Sequence, residues 1–408
     1  MARTRIQEFL DTLGTFEHKR GMELFEKAVK DLGTAQTATL GVLLTASNQV
    51  DPNAGVPHGL LTAEAGREVL ELVGWPASLP VVRFLALYCF TLERRDWTPK
   101  ALEKVAGTVK IGGGADAHRE FRKAIAGGRR DEAAALAAYL TEREGVDTAT
   151  RALVSATLGD VGRLQHNLGL AVGFADSAKA LGDPAGIVAV ANGAYEVAAW
   201  MKEYSPPALE PLDAPPVPAR PDLVTLEEAL FDDRFDEVHA QIKGYVTAKN
   251  VEEVLRPLLI AASLEPGFLG HTMIAAHAAR RALPYLTAEE RSFLLWKFYR
   301  ILVRRFGYPE GLLLRSSSGV APEAAVEALK ASLKIKTPPV ERTLRDALES
   351  GVPLEKALQH VAYNWTNWTV GEKEHTLQYL NAALQTAAFL GREQAMLPLV
   401  STMYKLPF

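Results

Sequence analysis

The sequence predicts an all-α fold of four helical repeats, each about 100 residues long with about four helices, set in two halves as an α-solenoid or a closed α/α toroid. Three observations predict it. Ala, Leu, Glu and Arg, all good helix formers, dominate the 408 residues. Alternating β-branched runs bounded by turns, which would mark strands, are not found in the sequence. Breaks rich in proline or glycine separate quarters whose motifs recur, as in units that bury one another's apolar faces.

The strongest break is Ser205 to Asp222, SPPALEPLDAPPVPARPD, with seven prolines in eighteen residues. Prolines remove backbone donors and hold each preceding residue extended, so a semi-rigid linker is expected over 205–222. It separates an N-terminal half, 1–204, from a C-terminal half, 223–408. Weaker breaks at Val109 to Ala117 and Leu314 to Pro339 divide the halves into repeats 1–108, 118–204, 223–310 and 338–408.

The second and third quarters align without gaps over Thr150 to Gly182 and Leu255 to Thr287. Across all four quarters one histidine recurs: His58, His166, His271 and His375, at spacings of 108, 105 and 104 residues. At +7 each is followed by a small residue, Ala65, Gly173, Ala278 or Ala382, and at +15 by an aliphatic one. Gly74, Gly182 and Gly391 come next in three quarters and Thr287 in the other. Glycine accepts the left-handed conformation of a helix C-cap, so each His is expected to open a helix of about sixteen residues. A second helix follows, carrying Tyr88, Tyr195, Tyr299 and Tyr404 at 30, 29, 28 and 29 residues beyond the histidines. If a hairpin turns near +17, each Tyr comes within reach of its His.

Coincidence is a poor explanation for four of nine histidines in one column. Two readings account for it. In the first, His58, His166, His271 and His375 are neutral imidazole ligands of one transition metal, iron before zinc or copper, with the tyrosines as orienting or substrate-binding groups. That requires the four helix starts to converge, because ligand nitrogens lie within about 2.2 Å of one ion. In the second, the histidines are a repeated structural device at helix starts within a non-catalytic scaffold or binding module.

Around His375 the sequence HVAYNWTNWTVGEKEH adds His360 as a further candidate ligand, and Tyr363, Trp365 and Trp368 as walls for a small-molecule pocket or as inter-repeat packing. Position +6 reads Glu64, Val172, His277 and Asn381. Glu64 and His277 are candidates for base or extra ligand if the starts converge, and otherwise ordinary polar groups at repeat edges. His277 sits about 120° around the helix from His271, so the two are not expected on one ion. Glu372 and His375 have the Glu-x-x-His spacing of di-iron bundles, and Asp236 with His239 is the nearest match elsewhere. Arg280, Arg281, Arg300, Arg304 and Arg305 form either an anion-holding patch or a solvated helix face.

Several classes are excluded. A net charge of −4 and a pI near 6.2 give no field that gathers nucleic acid or an anionic membrane. The lone Cys89 supports neither an internal disulfide nor a thiolate cluster. Gly112 to Gly114 lacks the strand and the Gly-Lys-Ser/Thr element of a phosphate loop. MARTRIQEFLDTLGTF has no apolar signal region and no run of about 18 apolar residues exists, so a cytoplasmic location is expected. A small-molecule substrate is the partner expected; a protein partner or a second copy of the chain stays open.

The segments PHGLLTAEA, QHNLGLAVG, GHTMIAAHA and EHTLQYLNA, in which His opens an Ala/Leu-rich helix, resemble the questin oxidase-like group of helical proteins. They are also similar to helical regions that accompany bacterial Rieske domains, although the chain has no Rieske Cys/His signature. The first resemblance implies an oxidoreductase acting on a small organic molecule.

Overall fold

The computed structural model describes residues 19–20, 23–24, 27, 49–50, 58–74, 79–89, 93–158, 166–203, 221–232, 234–265, 270–302, 314, 319–335, 339–366 and 373–405. All but the last two residues of the proline-rich linker lie outside them. The fold is all-α. The described helices are α1 (His58–Val73), α2 (Leu79–Cys89), α3 (Pro99–Ala106), α4 (Gly114–Ala126), α5 (Arg130–Glu144), α6 (Val146–Ala156), α7 (His166–Leu181), α8 (Gly186–Glu203) and α9 (Leu223–Phe231). They continue with α10 (Phe235–Thr247), α11 (Val251–Leu264), α12 (His271–Ala282), α13 (Ala288–Leu302), α14 (Pro322–Ile335), α15 (Pro339–Glu349), α16 (Leu354–Thr366), α17 (Lys373–Leu390) and α18 (Met396–Lys405). Among the described residues, extended pairing is limited to Gln49–Val50 against Glu93–Arg94, antiparallel.

Three successive stretches, α4 to α8, α9 to α13 and α14 to α18, each hold five helices with a histidine helix fourth. Two sequence expectations are corrected here. Each of these three stretches has five helices where about four are expected, and the expected break at Leu314 to Pro339 contains α14. The segment PEAAVEALKASLKI buries Ala325, Val326, Leu329 and Leu333, at the i, i+1, i+4, i+8 spacing of an amphipathic helix. Local Ser and Pro flanks disguised it. The break at Val109 to Ala117 likewise ends inside α4, which starts at Gly114.

The ends of the histidine helices follow the predicted chemistry with one instructive exception. Gly74, Gly182 and Gly391 have φ of 68°, 64° and 80°, and their N–H groups reach back to Leu70, Ala178 and Ala387 at 2.9, 3.0 and 3.0 Å. A side chain at these angles would clash with the backbone. In α12 the helix instead gives way to a 3₁₀ turn, Leu283–Tyr285, at Pro284. Thr287 then caps α13 by a reciprocal box: its N–H donates to Glu290 Oε2 at 2.9 Å and its Oγ1 accepts from the Glu290 N–H at 3.3 Å. Thr287 replaces glycine because it starts the next helix rather than ending the last.

Helices α1 and α7 are sixteen residues long and open at their histidines. Helix α12 has twelve residues, and the eighteen-residue α17 begins two residues before His375. These four form the centre. α1 packs against α7 and α17, and α12 packs against the same two, so their contacts run in a closed cycle. Small residues at +7 permit the approach: a Cβ on Gly173 would come within 3.3 Å of Leu61 on α1. Helices α2, α8, α13 and α18 cover the outside of α1, α7, α12 and α17 in turn. One apolar cluster runs from Leu60 to Val400, and a smaller one joins α3, α5 and α8 through Leu102, Ala138 and Val188. No described helix is long and apolar enough to cross a membrane.

Candidate metal centre

Side chains on an α-helix lean toward its N-terminus, so a His on the first turn of each central helix projects beyond the bundle's end. The four imidazoles meet there. Neighbouring ring centroids are 5.4 Å apart for His58 and His166, 5.0 Å for His166 and His271, 4.8 Å for His271 and His375, and 4.8 Å for His375 and His58. His166 and His375 face each other across this quadrilateral at 6.1 Å. The Nε2 atoms of all four are shut off from solvent. Among the described residues, His58, His166 and His375 form the one group of three whose donor atoms all lie within 4.8 Å of one another, and these three could hold a metal ion. His271 completes the ring beside that trio. Burial, with the three surrounding imidazoles, pushes the His166 pKa down to about 3, so its ring stays in the neutral form that a metal requires.

The other sequence candidates are distributed differently. His360 on α16 is not part of the three-residue group. Burial lowers its pKa, assisted by Lys330 on α14 and by Lys356, while Glu327 opposes; it belongs to the α14–α16 contact. Tyr195 lies under Arg95, whose guanidinium is 3.9 Å from the ring centre, and edge-on to Trp97 at 5.8 Å. It therefore serves the smaller apolar cluster rather than His166: α8 turns its polar edge toward α3, where the hairpin estimate had turned it inward. Tyr299 is fully buried and stacks on Trp296 at 5.4 Å, which in turn stacks on His239 at 4.8 Å. Tyr88 is stacked on Phe84 at 5.8 Å. The side chains of Tyr404 and Trp365, and all of Trp368 and Glu372, lie outside the described residues.

Glu64 and His277 belong to a second assembly, two to three turns below the ring. It contains a column that the sequence reading missed: position +10 is Glu68, Asp176, Arg281 and Gln385, polar in every quarter. Arg281 reaches across from α12. Its Nη2 donates to Glu64 Oε1 at 3.0 Å and to Asp176 Oδ2 at 2.6 Å, and its Nε lies 3.2 Å from Glu68 Oε1. His277 Nε2 is 2.9 Å from Glu68 Oε2, which also accepts from Asn381. Gln385 donates to the Glu68 carbonyl at 3.2 Å, Ser177 to Glu64 at 3.2 Å, and Tyr285 to Asp176. Glu64 is also clasped by Arg67 from its own helix.

Contacts at both register 0 and register +10 require the four helices to run parallel and in step. Burial pushes the Glu64 carboxyl up against the pull of Arg281 and Arg67. Burial opposes ionisation of Glu68 too, but Arg281 and His277 hold it well below the usual carboxylate range. The arginine pair is thereby resolved: Arg281 is the hub of a buried ion network, and Arg280 lies over Phe389 at 4.7 Å. Arg281 is thus neither a holder of an outside anion nor part of a solvated face, and the side chains of Arg300, Arg304 and Arg305 lie outside the described residues. No protein-family model, curated protein or solved structure matches the chain.

Proposed function

We propose that the chain is a metal-dependent oxidoreductase acting on a small organic substrate, with His58, His166, His271 and His375 around a single transition metal. One observation carries the reading: four imidazoles spaced over a hundred residues apart close into one ring. With metal–nitrogen bonds of about 2.1 Å, each ring centre would lie about 3.2 Å from the ion. Four rings in a plane would then be about 4.6 Å from neighbours and about 6.5 Å from opposites, and a tetrahedral set about 5.3 Å throughout. The observed sides of 4.8, 4.8 and 5.0 Å and the 6.1 Å diagonal fall between these two limits, and the fourth side, 5.4 Å, stands just beyond the tetrahedral one. Imidazole suits iron, copper and zinc. Iron comes first here because the oxidoreductase class, implied by the likeness to questin oxidase-like proteins, calls for a redox-active ion. When bound, such an ion would supply an electron-transfer and Lewis-acid centre. The same reading takes the quarters as repeats closed into a toroid, since only closure brings equivalent residues to one point.

A second reading has its own support. The rings of His58, His166 and His271 meet edge to face, at 89° and 80°, which is favourable aromatic packing without any ion. Metal analysis of protein purified without a His tag separates the two. About one equivalent of transition metal per chain, lost when His166 and His375 are both replaced by Ala, is the expected result. Less than about 0.1 equivalent after reconstitution, with only thermal stability falling in the variant, would leave the scaffold reading standing.

A further inference from the structure

We infer that a cleft at the C-terminal end of α12, walled by α11, α13 and α17, binds a small organic oxyanion: a carboxylate or phosphate group carried on an apolar body. The cleft has a volume of about 600 Å³, within the size range of small-molecule sites. It is a different place from the histidine ring and independent of any metal there, because Arg280 follows His271 by nine residues, about 14 Å along the axis.

Two part-buried arginines set its chemistry. Arg280 lies over the Phe389 ring at 4.7 Å and donates from Nη1 to the Gln385 carbonyl at 3.3 Å. Arg291 donates from Nε to the Leu283 carbonyl at 2.8 Å. Each bond takes one of the five N–H groups of a planar guanidinium and holds the rest of the fork in place. Among the described residues neither arginine makes an ion pair or a further hydrogen bond. Burial pulls the Arg280 pKa down against the attraction of Glu68 and Glu252. A part-buried cation without a contacting anion is costly, and an oxyanion in the cleft relieves that cost through short, charge-assisted bonds. Glu252 and Glu253 also line the cleft and oppose an anion, but both are exposed and therefore screened, and the exposed Lys249 offsets one of them. Leu255, Pro284 and Phe389 supply apolar surface for the body of the ligand. A purely structural role, capping two carbonyls, needs one donor from each arginine and predicts no ligand.

The test is calorimetric titration of the full chain at low ionic strength with 3-phenylpropionate, phenyl phosphate and the neutral 3-phenylpropanamide. At least one anion is expected to bind with a Kd below about 1 mM and at least about tenfold more tightly than the amide. The tighter of the two anions identifies the oxyanion. Arg280→Gln and Arg291→Gln should each weaken that anion by about tenfold or more. Lys249→Gly, at an exposed position whose φ of 64° glycine adopts freely, should weaken it by about threefold, and Glu252→Gln should tighten it by a similar factor. A Kd of about 1 mM or weaker for both anions, equal binding of anion and amide, or unchanged affinity in the folded arginine variants overturns the inference. Where an arginine variant fails to fold, the two exposed changes decide, and affinity unchanged in both overturns it.

Discussion

The same four helices carry two polar assemblies built on opposite plans. At their N-terminal ends one residue type is repeated four times around a point; ten residues further on, each helix contributes a different residue, Glu68, Asp176, Arg281 and Gln385. Unlike groups complete one another: a guanidinium has donors for three carboxylates, and a carboxylate has room for a guanidinium, an imidazole and an amide. Four imidazoles offer one kind of donor atom in convergence, which is the form of a site for a guest. On the proposed reading, divergence at the +10 position toward complementary charges accompanies a locking role, and uniformity at the histidine position accompanies a binding role. The lock also serves the ring, because it fixes the axial register of the helices whose first turns must meet.

The sharpest way to break this contrast is to load and strip metal. If the ring holds a guest and the lower layer does not, metal at a thousandfold excess over its Kd should stabilise the chain by about 4 kcal/mol. Chelation should reverse this in a thermal melt. Replacing His166 and His375 by Ala should remove the difference between loaded and stripped protein, whereas changes in the lower layer should keep it. The converse change is Arg281→Met, which leaves Glu64, Glu68 and Asp176 without their shared cation. A loss of about 3 to 5 kcal/mol in urea unfolding is expected, and a loss below about 1 kcal/mol would show that the layer is not a lock.

Acid distinguishes the two assemblies more gently. Glu68 is depressed in the folded protein below its ordinary value of 4.5, so its contribution is fully present above that value and is lost as pH falls below it toward the folded pKa. Stability of the metal-free protein should decline on that limb. Glu68→Gln should be less stable at neutral pH and show a shallower decline between about pH 4.5 and pH 3; a limb unchanged in slope would assign the acid response elsewhere. The smallest effect is expected from Ser177→Ala, which removes one hydroxyl donor from Glu64. It should cost about 1 kcal/mol in denaturant unfolding and leave metal content unchanged.

What could be read from the sequence follows the same division. His58, His166, His271 and His375 stand out because they are identical, and Gly74, Gly182 and Gly391 because one conformation demands one residue. The +10 column is equally regular in register but not in residue type, so a search for repeated letters passes over it. A search for any polar residue recurring at one position of an apolar helix would have found it. Tyr195 shows the opposite error: the spacing was regular, yet a regular spacing along the chain does not say which way the second helix is turned. For α8 that is decided by Arg95, which lies over the Tyr195 ring and hydrogen-bonds Asn192 at 2.9 Å. Neither contact leaves a mark in a local pattern.

Parallel helices in a cycle also set a timetable. A chain that runs up one central helix must travel back the full length before it can enter the next, which is why the ring members are over a hundred residues apart. The last side of the ring, between α17 and α1, is held by contacts such as that of Gln378 with Thr62, 316 residues away in sequence. Closing a loop of that size is slow and waits on nearly all the intervening structure. During synthesis His58 emerges long before His375 can meet it. The α17–α1 side of the ring therefore cannot close until the C-terminal stretch has been made, and a metal ion held by all four histidines would be captured only after that.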